Sequence, residues 1–215
     1  MKRLVLPRLY VILDAALVTV PETECAQKLA AAGVRWLQYR NKRASARELF
    51  KSSIKLVSRL APLKVSLIVN DRADVAALAG ADGVHVGQED LGVEGAREVV
   101  GAEKLLGVST HNLEQFQRAA ASSADYIAVG PIFATGTKSN PDPAVGTEFL
   151  RKVRPLTDKP IVAIGGITLE RAPAIIESGA DSVAVISDIL GAPQPGMRAR
   201  QYIDLLGAAD HAAAS

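Results

Sequence analysis

Apolar, β-branched runs recur along the chain at near-equal intervals: Leu9 to Leu13, Trp36 to Arg40, Ser66 to Asn70, Gly83 to Gly87, Leu105 to Ser109, Tyr126 to Gly130, Ile161 to Gly165 and Ser182 to Ser187. Between them the apolar spacing turns helical, as over Thr23 to Ala32, Ala46 to Leu60, Leu113 to Ala121 and Glu170 to Ser178. Strict alternation of strand and helix predicts a parallel sheet, because a parallel return needs a crossover connection. Eight such units predict an α/β fold closed into a (β/α)8 TIM barrel. The competing architecture is an open doubly wound sheet. The ladder of units running to the C-terminus, with no Gly-x-Gly-x-x-Gly after the first strand, argues against it.

The punctuation keeps the same register. Gly33, Gly80-Ala81-Asp82, Ala124-Asp125 and Gly179-Ala180-Asp181 each close a helical run and lead into a strand. A glycine at such a place can take the left-handed conformation that ends a helix. These recurrences look like repeats, but bare (β/α) periodicity produces them without sequence duplication.

Length and composition narrow this picture to one domain. At 215 residues the chain lies near the lower bound for a (β/α)8 barrel and leaves little for a second domain, so 1–215 is expected as a single barrel. Hydrophobic residues make up 48% and aromatic ones only 4%, which implies a core of Val, Ile, Leu and Ala. Gly207 to Ser215 is small and polar and is expected to be a flexible tail. A net charge of +2 is too small to argue for nucleic acid or membrane binding, so the cationic residues have to be judged locally. No apolar run approaches the roughly 18 residues of a membrane span, and Met1 to Pro7 is too short for a secretory signal. The single cysteine, Cys25, cannot form an internal disulfide, which is compatible with a cytoplasmic setting. The oligomeric state stays open, a homo-oligomer included.

In a parallel barrel all strand C-termini open on one face, and that face carries the active site. Polar residues stand at that end of several runs: Gln38-Tyr39-Arg40-Asn41-Lys42, Asn70-Asp71, Gln88-Glu89-Asp90, Ser109 and Thr135-Gly136-Thr137-Lys138. The period of two puts Gln38 and Arg40 on one face and carries Lys42 toward the same side. A guanidinium and an ammonium so placed could grip a diphosphate, the Arg through paired donors and the Lys as a point charge. Asp71 and Asp90 could offer carboxylate oxygens to Mg2+, which prefers one or two carboxylates, water and phosphate oxygens. Each could equally cap a following helix, near Arg72 and before Leu91-Gly92 respectively. Gly165-Gly166 allows backbone to approach a phosphate, and the loops after strands seven and eight often hold one in barrels. Gly166 with Ser187 is thus a second phosphate candidate, and the site is expected to hold two phosphorylated ligands. His85 lies within a strand run and reads as a hydrogen-bonded core histidine, His111 caps or lines the mouth, and His211 falls in the tail. With no supported Ser-His-Asp order, hydrolysis is disfavoured. The stretch Ser139 to Pro143, with Gly136, reads as a lid over the mouth.

These residues resemble the thiamine phosphate synthase family from about Arg8 to Leu206. The resemblance rests on Gln-x-Arg-x-Lys at 38 to 42, Asn70-Asp71, the run from Asp82 to Asp90, Gly107 to His111, Gly130 to Phe133, Thr135 to Lys138, Ala163 to Ile167 and Val185 to Ser187. It implies a transferase that condenses hydroxymethylpyrimidine diphosphate with hydroxyethylthiazole phosphate, giving thiamine phosphate and diphosphate. It also implies that residues 38 to 42, Asn70, Ser109 and Lys138 contact the pyrimidine diphosphate and that Asp71 and Asp90 hold Mg2+. Thr135, Gly136, Thr137, Gly166, Ile186 and Ser187 would bind the thiazole phosphate, and Arg40, Lys42 and Lys138 would carry catalysis by neutralising the departing diphosphate. Where the family has Leu and Glu, this chain has Tyr39 and Asn41; alternation points both away from Gln38, Arg40 and Lys42. A thiazole-isomerising relative on the same barrel would need an acid–base pair and no diphosphate grip. A non-catalytic sensor of thiamine precursors would keep binding without turnover.

Overall fold

The computed structural model describes residues 4–135 and 143–213. Eight strands close into a parallel barrel in sequence order: β1 (Leu9–Asp14), β2 (Trp36–Arg40), β3 (Ser66–Asn70), β4 (Gly83–Val86), β5 (Leu105–Thr110), β6 (Tyr126–Val129), β7 (Ile161–Ile164) and β8 (Ser182–Val185), with β8 pairing back onto β1. Helices α1 (Glu22–Ala31), α2 (Ala46–Leu60), α3 (Ala73–Ala79), α4 (Val93–Val100), α5 (Leu113–Ala121), α6 (Gly146–Val153), α7 (Ala172–Glu177), α8 (Ser187–Leu190) and α9 (Pro195–Ala213) follow in turn. The expected (β/α)8 architecture is therefore the one observed, with strand limits within two residues of the hydrophobic runs.

Strand alternation divides the apolar residues into two cores. Side chains pointing outward, such as Val11, Leu37, Tyr39, Leu67, Val84 and Ile127, pack beneath the helices in a large cluster with Leu29, Leu56, Phe116 and Ile175. Side chains pointing inward form a smaller one of Tyr10, Ile12, Trp36, Ile68, Tyr126, Ala128, Val162 and Ala184. Three of these are the large aromatics: Tyr10 stacks on Trp36 with centroids 4.4 Å apart, and Tyr126 meets Trp36 edge-on at 5.0 Å. Gly107 makes room for them, since a Cβ there would lie 2.0 Å from Tyr126 Cζ.

Local chemistry sets the helix ends. Ser45 and Glu48 form a reciprocal capping box at the start of α2, and Asn112 Oδ1 accepts Gln115 N–H at the start of α5. The recurring aspartates before even-numbered strands have a distinct task. Asp82, Asp125 and Asp181 accept the N–H of Leu67, Leu106 and Ile161 at 2.7–2.8 Å, each tying the start of the preceding strand to its neighbour at the closed end of the barrel. Arg97 and Arg154 then pair with Asp125 and Asp181. The repeat-like punctuation thus reflects the bottom of the barrel, and the opposite end is left to bind.

Of the tail expected over 207–215, the backbone through Ala213 continues α9 as helix, and residues 214–215 lie outside the described residues. No helix among the described residues is long and apolar enough to cross a membrane.

Candidate active site

The C-terminal ends of the strands surround a cleft whose floor is apolar and whose rim is polar. Ile12, Ala128, Val162, Ile164 and Ala184 line the floor; Arg40, Asn70, Ser109, His111, Thr135, Gly166 and Ser187 stand around it. Such a floor suits a flat heteroaromatic ring, and the rim suits anionic groups.

On one side the groups are charged side chains. Arg40 closes β2 and its Nη1 pairs with Asp14, the last residue of β1, whose carboxylate is 4% exposed. Asp14 Oδ1 also accepts the N–H of Ala16 at 3.0 Å. The guanidinium is thereby held in one orientation, with 19% of its side chain still open. Asp14 was absent from the residues singled out in the sequence, although it occupies the inward-facing strand end just as Arg40 and Asn70 do.

Lys42 pairs with Asp71. Asp71 takes φ +65°, a left-handed conformation that Asp tolerates better than most residues, and its N–H donates to His85 O at 2.7 Å. Helix α3 begins with Arg72 as its flanking residue and has no side-chain cap, so the capping role open to Asp71 is not the one it plays. Asp90 does not cap α4 either; its Oδ2 accepts Gly87 N–H at 2.8 Å and folds the turn after β4 back on itself. That turn brings Asp90 against Asp71. Burial first, then the neighbouring Asp90, push the Asp71 carboxyl above its ordinary value, while Lys42 pulls the other way. Two carboxylates close together, one of them answered by a lysine, form a donor pair for a hard divalent cation that completes its shell with water and phosphate oxygens. Among the described residues no third His, Cys, Asp or Glu joins them.

Gln38 is buried and donates from Nε2 to Tyr10 Oη at 2.9 Å. From there a polar chain crosses the barrel: Tyr10 Oη to Tyr126 Oη at 3.1 Å, Tyr126 Oη to His85 Nδ1 at 3.1 Å, and His85 Nε2 to Ser109 Oγ at 2.8 Å. His85 is the hydrogen-bonded interior histidine expected from its strand position, and it also lines the cleft. Burial raises the phenols of Tyr10 and Tyr126, so both stay neutral. This chain was illegible in the sequence because its linked members are 24 to 116 residues apart.

Of the described residues named with the substrate groups, Tyr39, Asn41 and Lys42 do not line the cleft, nor do Asp71 and Asp90; Tyr39 and Asn41 are turned away from it. Tyr39 is fully buried in the outer core, its hydroxyl donating to Glu22 Oε1 at 2.7 Å, and Asn41 Nδ2 donates to that same hydroxyl at 3.3 Å. Alternation along β2 sends both away from Arg40, so their side chains serve the β2–α1 packing.

On the other side the groups are backbone and small residues. Gly165 and Gly166, after β7, take φ +103° and +61°. Glycine at 166 has a packing reason beside the one anticipated: a Cβ there would lie 2.6 Å from Ala134 O and 2.8 Å from Phe133 Cβ. The glycine packs the turns after β6 and β7 together while its residue still lines the cleft. Ile186 leads into the short α8, which starts at Ser187. Gly136, Thr137 and Lys138, and most of the proposed lid from Ser139, lie outside the described residues.

A closed parallel barrel with a polar rim of this kind defines an enzyme of small anionic substrates. Residues 9–189 match the family model for thiamine monophosphate synthase. The thiamine-phosphate synthase of Koribacter versatilis is 53% identical over 208 residues, covering 94% of this chain and 96% of that protein. That of Chloroflexus aurantiacus is 44% identical over 195 residues, 90% of each. Among solved structures, thiamine phosphate pyrophosphorylase from Pyrococcus furiosus superposes with a TM-score of 0.85 at 31% identity, covering 94% of this chain and 96% of that one. The chain belongs to the thiamine monophosphate synthase family. Its activity is thiamine-phosphate synthesis, and it is a transferase.

Proposed function

We propose that the two substrates are hydroxymethylpyrimidine diphosphate and hydroxyethylthiazole phosphate, and that they divide the rim between them. The observation that carries this reading is the cluster of Lys42, Asp71 and Asp90 beside Arg40. It offers a cation site and two positive groups on one side of an apolar cleft, the equipment for a metal-bound diphosphate. Gln38, Asn70 and Ser109 border the same side, while Thr135, Gly166, Ile186 and Ser187 face it across the floor as the thiazole phosphate subsite.

Asp71 and Asp90 would hold Mg2+, and the bound ion supplies charge neutralisation for the departing diphosphate. The protein's part is positioning and electrostatics. Arg40, fixed by Asp14, and Lys42 offer donors that strengthen as the carbon–oxygen bond of the pyrimidine methylene breaks and its electron pair leaves with the diphosphate. Lys138, outside the described residues, is assigned to the same task by its place in the family motif and its charge. The thiazole nitrogen then forms the new bond to that carbon. No side-chain nucleophile is called for, and the buried phenols beneath the cleft stay neutral.

Incubating the purified protein with both substrates and Mg2+, then measuring thiamine phosphate, tests this directly. Product that requires all three components is the expected result. Binding without product would favour a sensor, and rearrangement of a thiazole precursor without diphosphate release would favour an isomerase. Equal turnover in excess chelator would remove the metal from the scheme.

A further inference from the structure

The turns after β7 and β8 are held from behind. Asp188, the second residue of α8, points away from the cleft toward α9, where Arg198 meets it with two nitrogens: Nε lies 3.1 Å from Oδ2, and Nη2 donates to Oδ1 at 3.3 Å. One turn further along α9, the buried Tyr202 donates to Asp188 Oδ2 at 2.7 Å and lies 3.5 Å from Ile167 O. The residue joined to Asp188 is Ser187, and the one joined to Ile167 is Gly166. Both turns are therefore reached from one face of one helix, since positions four apart share a face. Asp188 is only 16% exposed on its side chain, so this carboxylate is paired in a partly desolvated setting where charge-assisted bonds are strong.

A second fastening acts on the same stretch. Arg171 Nη1 donates to Gly166 O at 2.8 Å, and its guanidinium stands over the Phe133 ring at 4.4 Å. A trans peptide sends its C=O and N–H to opposite sides. Tying down the Gly166 carbonyl thus fixes the direction of the Ile167 N–H. Phe133 belongs to the turn after β6, so three consecutive turns are linked behind the cleft.

We infer that Asp188, Arg198 and Tyr202, together with Arg171, are positioning residues that hold the backbone of the β7 and β8 turns in a phosphate-receiving arrangement before the ligand arrives. The inference rests on assigning those turns to thiazole phosphate. The part of the subsite on these two turns is backbone and one hydroxyl, with no long side chain to adapt, so its affinity depends on how firmly the turns are set. Carbonyls and a carboxylate drawn outward also keep negative charge off the side that meets the anion.

The test is a pair of shape-conserving variants assayed with both substrates. Asp188→Asn should raise the KM for thiazole phosphate about tenfold, a loss of roughly one charge-assisted bond. Its kcat and its KM for the diphosphate substrate should stay within about twofold of the parent. Tyr202→Phe keeps the ring in its core site and should give the same split at smaller amplitude; it decides the matter if Asp188→Asn does not fold. Arg198→Lys, which keeps the charge and loses the second contact, should fall between parent and Asp188→Asn. Any other pattern overturns the inference: both KM values rising together, kcat falling alone, or no change. Ser187→Ala in the same assay separates the two levels. If it leaves the thiazole KM unmoved, the assignment of the subsite fails; if it raises that KM while the clamp variants do not, only the clamp fails.

Discussion

The two sides of the cleft are built by opposite means. Around β2 to β4 the groups are long or charged side chains in ion pairs: Arg40 with Asp14 and Lys42 with Asp71. Around β7 and β8 they are glycines at positive φ, a serine and backbone, braced from outside by Arg171, Arg198 and Tyr202. The first side meets the growing charge of a leaving group with full positive charges. The second can only be right in advance. That contrast fits a reaction in which one phosphate group departs and the other serves as a handle.

The largest effect should come from the carboxylate pair. Asp71→Asn keeps the planar shape of the carboxylate and the tolerance for left-handed backbone, whereas alanine would add backbone strain at φ +65° to the loss of an oxygen ligand. Turnover should fall by on the order of a hundredfold or more. Asp90→Asn should do likewise and still accept the Gly87 N–H. In metal-free protein the sign for stability reverses. A carboxyl held above its ordinary 3.8 favours the fold while protonated and disfavours it as pH rises beyond that value, and Asp90 is one cause of the rise. Asp90→Asn should therefore leave Tm at neutral pH unchanged or higher and abolish its increase with Mg2+. A Tm that drops sharply, with Mg2+ still stabilising, would break the assignment of this side.

Next in size is the glycine of the opposite side. Gly166→Ala places a Cβ 2.6 Å from Ala134 O at φ +61°. It should cost on the order of 1–3 kcal/mol in stability and raise the thiazole phosphate KM through displacement of the turn. Denaturant unfolding and steady-state kinetics check this together. Normal stability with a raised KM would instead return Gly166 to the role of ligand clearance.

Arg40 sharpens the contrast from the charged side. Asp14→Asn removes the charge that orients the guanidinium and leaves the guanidinium itself. The KM for the diphosphate substrate should rise by about tenfold, with that for thiazole phosphate unmoved. Equal changes in both would mean that Asp14 supports the whole mouth.

These expectations show where the sequence was readable. The period of two along β2 correctly separates Arg40 from Tyr39 and Asn41, and the strand limits follow directly from the apolar runs. The carboxylates at 71 and 90 were visible as strand-end polar residues, though only the turn through Gly87 shows that they meet. The clamp was hidden because Arg198 and Tyr202 look like ordinary helix positions, and their partner Asp188 like a helix-start acid. Asp14 was overlooked although its place at the end of an alternating strand gave the needed signal. Long-range partners of this sort have no local periodicity, so spacing alone cannot reveal them.

The smallest predicted effect concerns the polar chain under the floor. Tyr126→Phe removes the hydroxyl between Tyr10 and His85 while preserving the ring that packs on Trp36. Gln38 still donates to Tyr10, so the loss falls mainly on the segment leading to Ser109. Two hydrogen bonds are lost, so a cost of about 1–2 kcal/mol in stability is expected. Gln38 and Ser109 both border the diphosphate side, so that substrate's KM should shift by no more than about threefold, roughly half of one such bond, while the thiazole phosphate KM stays put. A larger shift in the thiazole phosphate KM would mean that the floor couples the two sides and that their independence stops at the rim.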